Sequence, residues 1–316
     1  MLSDLLARRG ARLAVLACVA FLVAFSFPWS VAGLAGLPPL LARLVGAALV
    51  TALVLTNALL IARIPFEFQV LVAWTELLLV FGLFFWSFGL DYGFILARLP
   101  GLLGFGVGQA FMQGAVLTVT ICMVSIAIAT VLALLAALGR LSGNGLAFGL
   151  STFYISFFRG TPLLLQVLLI YLGLPQIGLV LEAVPAGVIA LSLCYGAYMA
   201  EIFRAGIEAV GRGQREAAAS LGLTSGQSMR LVVLPQAMRL VIPPTGNQFI
   251  AMLKDSSLVS VMGVWELMYL ARTYGRGEFK YMEMLISAAL IYWLLSAVFE
   301  VLQARIERHF GKGVRP

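Results

Sequence analysis

The run FMQGAVLTVTICMVSIAIATVLALLAAL, Phe111 to Leu138, contains no charged residue and is long enough to cross a bilayer as a helix. A segment this apolar on every face cannot sit on a water-soluble fold, because a helix that is hydrophobic all round needs an apolar surrounding. The rest of the chain follows suit. Of 316 residues, 62% are apolar and only 11% charged, and mean hydropathy is +1.02. The fold class is therefore all-α, a polytopic membrane helix bundle, since helices satisfy their own backbone groups in hydrocarbon.

Working outward, the same criterion marks about eight spans: Leu13–Ala32, Leu44–Ala62, Phe68–Leu90, Phe111–Leu138, Ala147–Leu174, Ala186–Phe203, Leu240–Leu270 and Met284–Leu302. The fifth is interrupted by Arg159 and the seventh is the least regular. A Gly-rich connector separates the third from the fourth.

The net charge of +7 does not imply nucleic acid, because Arg and Lys lie in short gaps between apolar runs. Arg8, Arg9 and Arg12 precede the first span, Arg140 lies between the fourth and fifth, and Arg305, Arg308, Lys312 and Arg315 follow the last. With an even count, both termini fall in the cytoplasm. Arg272, Arg276 and Lys280 then lie outside and break the tendency. An alternative for the first run is a cleavable signal peptide with small residues near Ala32; it would leave seven spans and put the basic C-terminus outside. Cys18, Cys122 and Cys194 all lie in apolar runs, without metal-binding or disulfide spacing, and read as buried small hydrophobes.

The longest polar stretch, Gly206 to Arg239, reads as two short helices joined by a glycine. Gln214 to Leu221 has helix formers with Glu216 in the first turn. Gly222 suits a left-handed helix end, Thr224 with Gln227 forms a capping-box pattern, and Pro235 disturbs the second helix. On these features alone, a protruding docking elbow and an ordinary interfacial hairpin are both open.

Glu216, Ala217, Ala218, Gly222, Val232, Leu234 and Pro235 spell E-A-A, three residues, G, nine residues, aliphatic, any, L-P. This resembles the coupling loop of binding-protein-dependent ATP-binding-cassette permeases. FRGTPLLLQ at Phe158–Gln166, YGAYMAEIFRAGI at Tyr195–Ile207, LPQAMR at Leu234–Arg239, PPTGNQFI at Pro243–Ile250 and KDSSL at Lys254–Leu258 are similar to permeases for polar amino acids of the histidine, glutamine, arginine and glutamate type. The resemblance starts near Gly108. It implies residues 1–107 as an N-terminal extension with three transmembrane helices, residues 108–310 as a five-helix permease core with the coupling loop at 206–239, and residues 311–316 as a cytoplasmic tail.

The resemblance further implies a multi-pass protein of the bacterial inner membrane that is a transport subunit and not an enzyme. Its partners would be two cytoplasmic ATPase subunits gripping the elbow, a second permease subunit (a copy or a paralogue), an external solute-binding protein, the amino acid and lipid, with no nucleic acid. No cofactor is expected in this chain, ATP and Mg²⁺ belonging to the partners. In agreement, the sequence has no G-x-x-x-x-G-K-[ST] loop and a single histidine, His309.

Expected coupling residues are Glu216, Ala217, Ala218, Gly222, Leu234 and Pro235, with Ala217 to Ala219 permitting close approach; the plainer reading of Glu216 is a solvated partner of Arg212 along the helix. Candidate pathway residues are Thr161, Pro162 and Gln166 at the interrupted span, Tyr198 and Glu201 in the sixth, and Asn247, Lys254 and Asp255 in the seventh, because polar groups within spans are costly. Each has a plainer reading: Thr161 as a cap, Glu201 paired with Arg204 or Arg159, Lys254 and Asp255 at a shorter span's external end. Arg159 reads as an interfacial anchor, and Glu76 as a helix-packing contact to Asn57. A secondary transporter or channel, or a docking subunit that moves nothing, remain the competing classes; neither needs both the elbow and an ATPase.

Overall fold

A computed structural model describes residues 9–26, 38–105 and 112–310, and among these the regular elements are all helical. The tail at 311–316, most of the Gly-rich connector, Arg8 and the small residues near Ala32 lie outside the described residues. Two compact units divide between Gly89 and Leu90.

The first unit holds α1 (Arg9–Ser26), α2 (Pro39–Ile61) and α3 (Phe66–Trp86), with α1 packed on α2. No residue of α3 is buried, although it is apolar on every face, which suits a helix bathed in lipid. Its mid-helix carboxylate, Glu76, accepts a 2.7 Å hydrogen bond from Asn57 Nδ2 on α2, the pairing expected from the sequence. Such a bond between membrane helices stabilises their association by about 1 kcal/mol.

The second unit opens with α4 (Tyr92–Leu103), which the sequence reading passed over as connector. Asp91 caps it by accepting from Phe94 N at 2.9 Å, and its Leu102 is fully buried. This helix packs with the following core, and the compact units divide at 89/90. α5 (Gly114–Leu141) and α8 (Ala183–Ala209) form the centre, where Ala129, Ala133 and Ala137 meet Ala186, Ala190 and Ala200, all fully buried. Small side chains let these backbones approach closely, which is the main source of helix affinity where water supplies no hydrophobic drive.

Between them lie α6 (Gly145–Gly160), capped by Asn144, and α7 (Leu163–Leu168), which continues through wider and tighter turns to Ile177. These two segments meet at 107°, so the expected fifth span is a sharply bent pair. After the elbow come α11 (Leu234–Asp255), α12 (Leu267–Gly277) and α13 (Tyr281–Phe310).

Among the described residues, five helices are long and apolar enough to span, six if the bent pair counts as one crossing. The expected eight are therefore not matched one for one. Leu240–Leu270 is not a continuous span: α11 ends at Asp255, a tight helical turn covers Ser256–Met262, and Gly263 turns the chain into α12. Pro243, Pro244, Arg239, Lys254 and Asp255 make α11 less apolar than the spanning helices α5, α8 and α13.

One buried carboxylate ties this unit together. Glu266, with no exposed surface, caps α12 by accepting from Tyr269 N at 2.7 Å and Met268 N at 2.9 Å, and receives the Tyr292 hydroxyl of α13 at 2.7 Å. Next to it, Gly114 N at the start of α5 donates to Trp265 O at 2.8 Å. Gly114 has φ +57°, and a Cβ there would lie 2.2 Å from Leu102 O, so only glycine fits.

Candidate functional site

The elbow is built from local chemistry. α9 (Arg212–Ser220) ends in a paired-bond cap, with Gly222 N donating to Ala219 O at 2.9 Å and Leu223 N to Ala218 O at 3.1 Å. That geometry requires a left-handed residue, and Gly222 has φ +75°. Thr224 then starts α10 (Ser225–Ser228) with a complete capping box, Gln227 N to Thr224 Oγ1 at 3.3 Å and Thr224 N to Gln227 Oε1 at 2.9 Å. Contrary to the two-helix expectation, α10 does not stop at Pro235. It runs through a wide turn at Met229–Val233 straight into α11, the wider turn lying directly before Pro235, whose missing N–H interrupts the regular ladder.

The elbow is braced at its base. Arg215 Nη2 donates to Ile207 O at 2.8 Å and Gln236 Nε2 to Gln214 Oε1 at 3.1 Å, over a cluster of Ile207, Val210, Val233 and Ala237. Glu216 and Ala217 are exposed, as is Pro235, with Leu234 half-buried. Ala218 is buried and packs within the elbow. Glu216 has no ion pair to Arg212 among the described residues. Leu221, which the sequence reading did not single out, is an apolar side chain 82% exposed at the bend.

At the bent pair, Pro162 cannot donate a backbone bond, and the amide of Gln166 takes up the freed carbonyls. Gln166 Nε2 lies 2.9 Å from Phe158 O, 3.0 Å from Thr161 O and 2.9 Å from Thr161 Oγ1. Thr161 donates to Phe157 O at 2.9 Å and closes α6 at its C-terminal end. Gln166 is itself buried, and its Oε1 has no hydrogen-bond partner among the described residues.

Beside the bend, Tyr195 of α8 donates to Asp255 Oδ2 at 2.8 Å, joining α8 to the last residue of α11. Arg159 stands 5.5 Å from the centre of the Tyr198 ring, and the Tyr195 and Tyr198 rings are 6.4 Å apart. The structure thus brings Thr161, Pro162 and Gln166 together and links Tyr195 to Asp255. Lys254 is exposed next to it. Glu201 pairs with Arg204 at 2.9 Å, and Arg204 with Glu208 at 2.6 Å, the plainer reading of Glu201. Asn247 stands apart, accepting from Gln303 Nε2 of α13 at 3.0 Å. Tyr195 was missed as an individual residue; its spacing of three from Tyr198 on a helix was the available signal.

The family model for "Binding-protein-dependent transport system inner membrane component" matches residues 129–312, which include the elbow, the bend and Asp255. The chain belongs to this family. Members are ABC importer permease subunits, which have no ATPase site of their own and work with ATPase and substrate-binding partners, and this permease is accordingly a multi-pass inner-membrane protein. It is 46% identical to the probable amino-acid permease protein YxeN of Bacillus subtilis over 169 residues, 52% of this chain and 75% of that one. It is 36% identical to the arginine transport system permease protein ArtQ of Bacillus subtilis, over 69% of this chain and 96% of the relative. Among solved structures, the crystal structure of an amino acid ABC transporter with histidines aligns with a TM-score of 0.64 at 38% identity, over 70% of this permease and 99% of that chain. An inward-facing structure of the MetNI methionine transporter shares the fold at 18% identity and a TM-score of 0.54.

Proposed function

We propose that this permease forms, with a second permease subunit, the pathway by which polar amino acids are driven inward by ATP. Two cytoplasmic ATPase subunits grip the elbow at Glu216, Ala217 and Leu221, and an external binding protein delivers the solute. Both termini are cytoplasmic, and the helices before Leu90 are an addition to the permease core. The observation that carries this reading is the elbow, capped on both sides of Gly222 and continuous with the helix that ends at Asp255. An elbow built only as an interfacial hairpin has no need of that continuity.

The test is reconstitution. Vesicles holding this chain, a cognate ATPase and a loaded binding protein should take up amino acid only with ATP, whereas uptake by the permease alone would sink the reading in favour of a secondary transporter.

Within the pathway, Asp255 is the group offered to an ammonium, and Arg159 the group offered to a carboxylate. Replacing Asp255 with Asn preserves an acceptor for Tyr195 but removes the charge. Uptake is expected to fall at least about tenfold, equivalent to about 1.4 kcal/mol, with basal ATP hydrolysis retained. Full uptake in Asp255→Asn, together with its loss in Asp255→Ala, would instead reduce Asp255 to a helix-tethering role.

A further inference from the structure

The basic residues beyond α11 contradict the charge asymmetry that orients the rest of the chain. On the external side required by the proposed orientation, Arg272, Arg276 and Lys280 accumulate where basic residues are usually depleted. The structure separates them into two kinds. Lys280 contacts Asp91, and that bond holds the Asp91 carboxyl below its usual range and raises the Lys280 ammonium. Arg98 is likewise matched by Glu278 at 3.8 Å. Arg272 and Arg276 have no carboxylate in ion-pair range among the described residues.

These two arginines are one turn apart on α12, whose opposite face is buried through Leu267, Leu270 and Ala271. They are exposed and line a pocket of about 350 Å³ together with Ser260, Gly263, Tyr269 and Thr273. Its wall includes the turn Ser256–Met262, which begins directly after Asp255. The uncompensated charge therefore stands at the outer end of the same backbone that carries the Tyr195 to Asp255 contact. A lipid headgroup site would need no such continuity, and a lone small carboxylate gains little from two water-exposed cations.

We propose that Arg272 and Arg276 receive acidic side chains on the surface of the delivering binding protein. This rests on the importer reading above. Exposed charges at the rim of a complex act mainly on encounter and on its salt dependence.

The experiment uses vesicles containing the full transporter and measures ATP hydrolysis against the concentration of amino-acid-loaded binding protein. With Arg272→Glu and Arg276→Glu combined, the half-maximal concentration is expected to rise about tenfold or more at low salt, with the maximal rate kept. The gap should close at about 1 M salt, where the screening length is near 3 Å. Arg272→Lys with Arg276→Lys should stay close to wild type, which separates lost charge from lost folding. Wild-type half-saturation and salt dependence in the double-Glu protein would overturn the proposal. So would a defect seen only with free amino acid and no binding protein, or one that follows the anionic lipid content of the vesicle. If wild-type hydrolysis ignores the binding protein altogether, the importer reading itself falls, and this proposal with it.

Discussion

Gly222→Val and Glu216→Lys are each expected to abolish coupled uptake while leaving ATP hydrolysis running and the chain inserted in the membrane. At φ +75° a β-branched residue costs about 1–2 kcal/mol in backbone strain, even though the space around Gly222 is open. The cap at Ala218 and Ala219 is then lost, and with it the fixed angle between α9 and α10. Glu216→Lys leaves the backbone intact and reverses the exposed charge next to Leu221. Uptake measured against ATP hydrolysis in the same vesicles should fall by a factor of about ten or more, equivalent to at least about 1.4 kcal/mol of coupling. Normal uptake in both variants would mean that no partner uses the elbow.

The second large effect concerns stability. Glu266→Ala removes the acceptor for Met268 N, Tyr269 N and the Tyr292 hydroxyl at a site closed to solvent. Leaving such donors unpaired costs about 3 kcal/mol, so the purified protein should melt about 10 °C lower. Glu266→Gln retains an acceptor and should lose about a third of that. A melting temperature for Glu266→Ala within about 2 °C of wild type would show that α12 and α13 are held by their apolar contacts alone.

The elbow was legible in the sequence because each of its parts is a local rule. Gly222 at a helix end, Thr224 three residues before Gln227 and the polar composition of Gly206 to Arg239 need no tertiary information. Asn57 with Glu76 was legible for a related reason, since two isolated polar groups in neighbouring apolar runs have few other partners. What escaped was set by packing at a distance. α4 is too short to span and carries Pro100, so nothing in its own residues tells that Leu102 fills a core between α12 and α13. Glu266 fell within the expected span Leu240–Leu270 and drew no reading of its own, because only the fold brings Tyr292 to it, 26 residues on. The error at α11 was of another kind, because apolar content was counted across Asp255 and Gly263 although polar turn residues there end one helix and aim the next.

The unbroken helical run from Ser225 to Asp255 is about 46 Å long at 1.5 Å per residue. Foot and head of one connecting rod cannot answer to separate masters. A solute that favours one setting of the head through Asp255 must alter the hold on the foot by the same free energy, since linkage is reciprocal. In the importer proposed above, nutrient supply outside and nucleotide state inside would thereby read each other through a single piece of backbone, with no messenger between them.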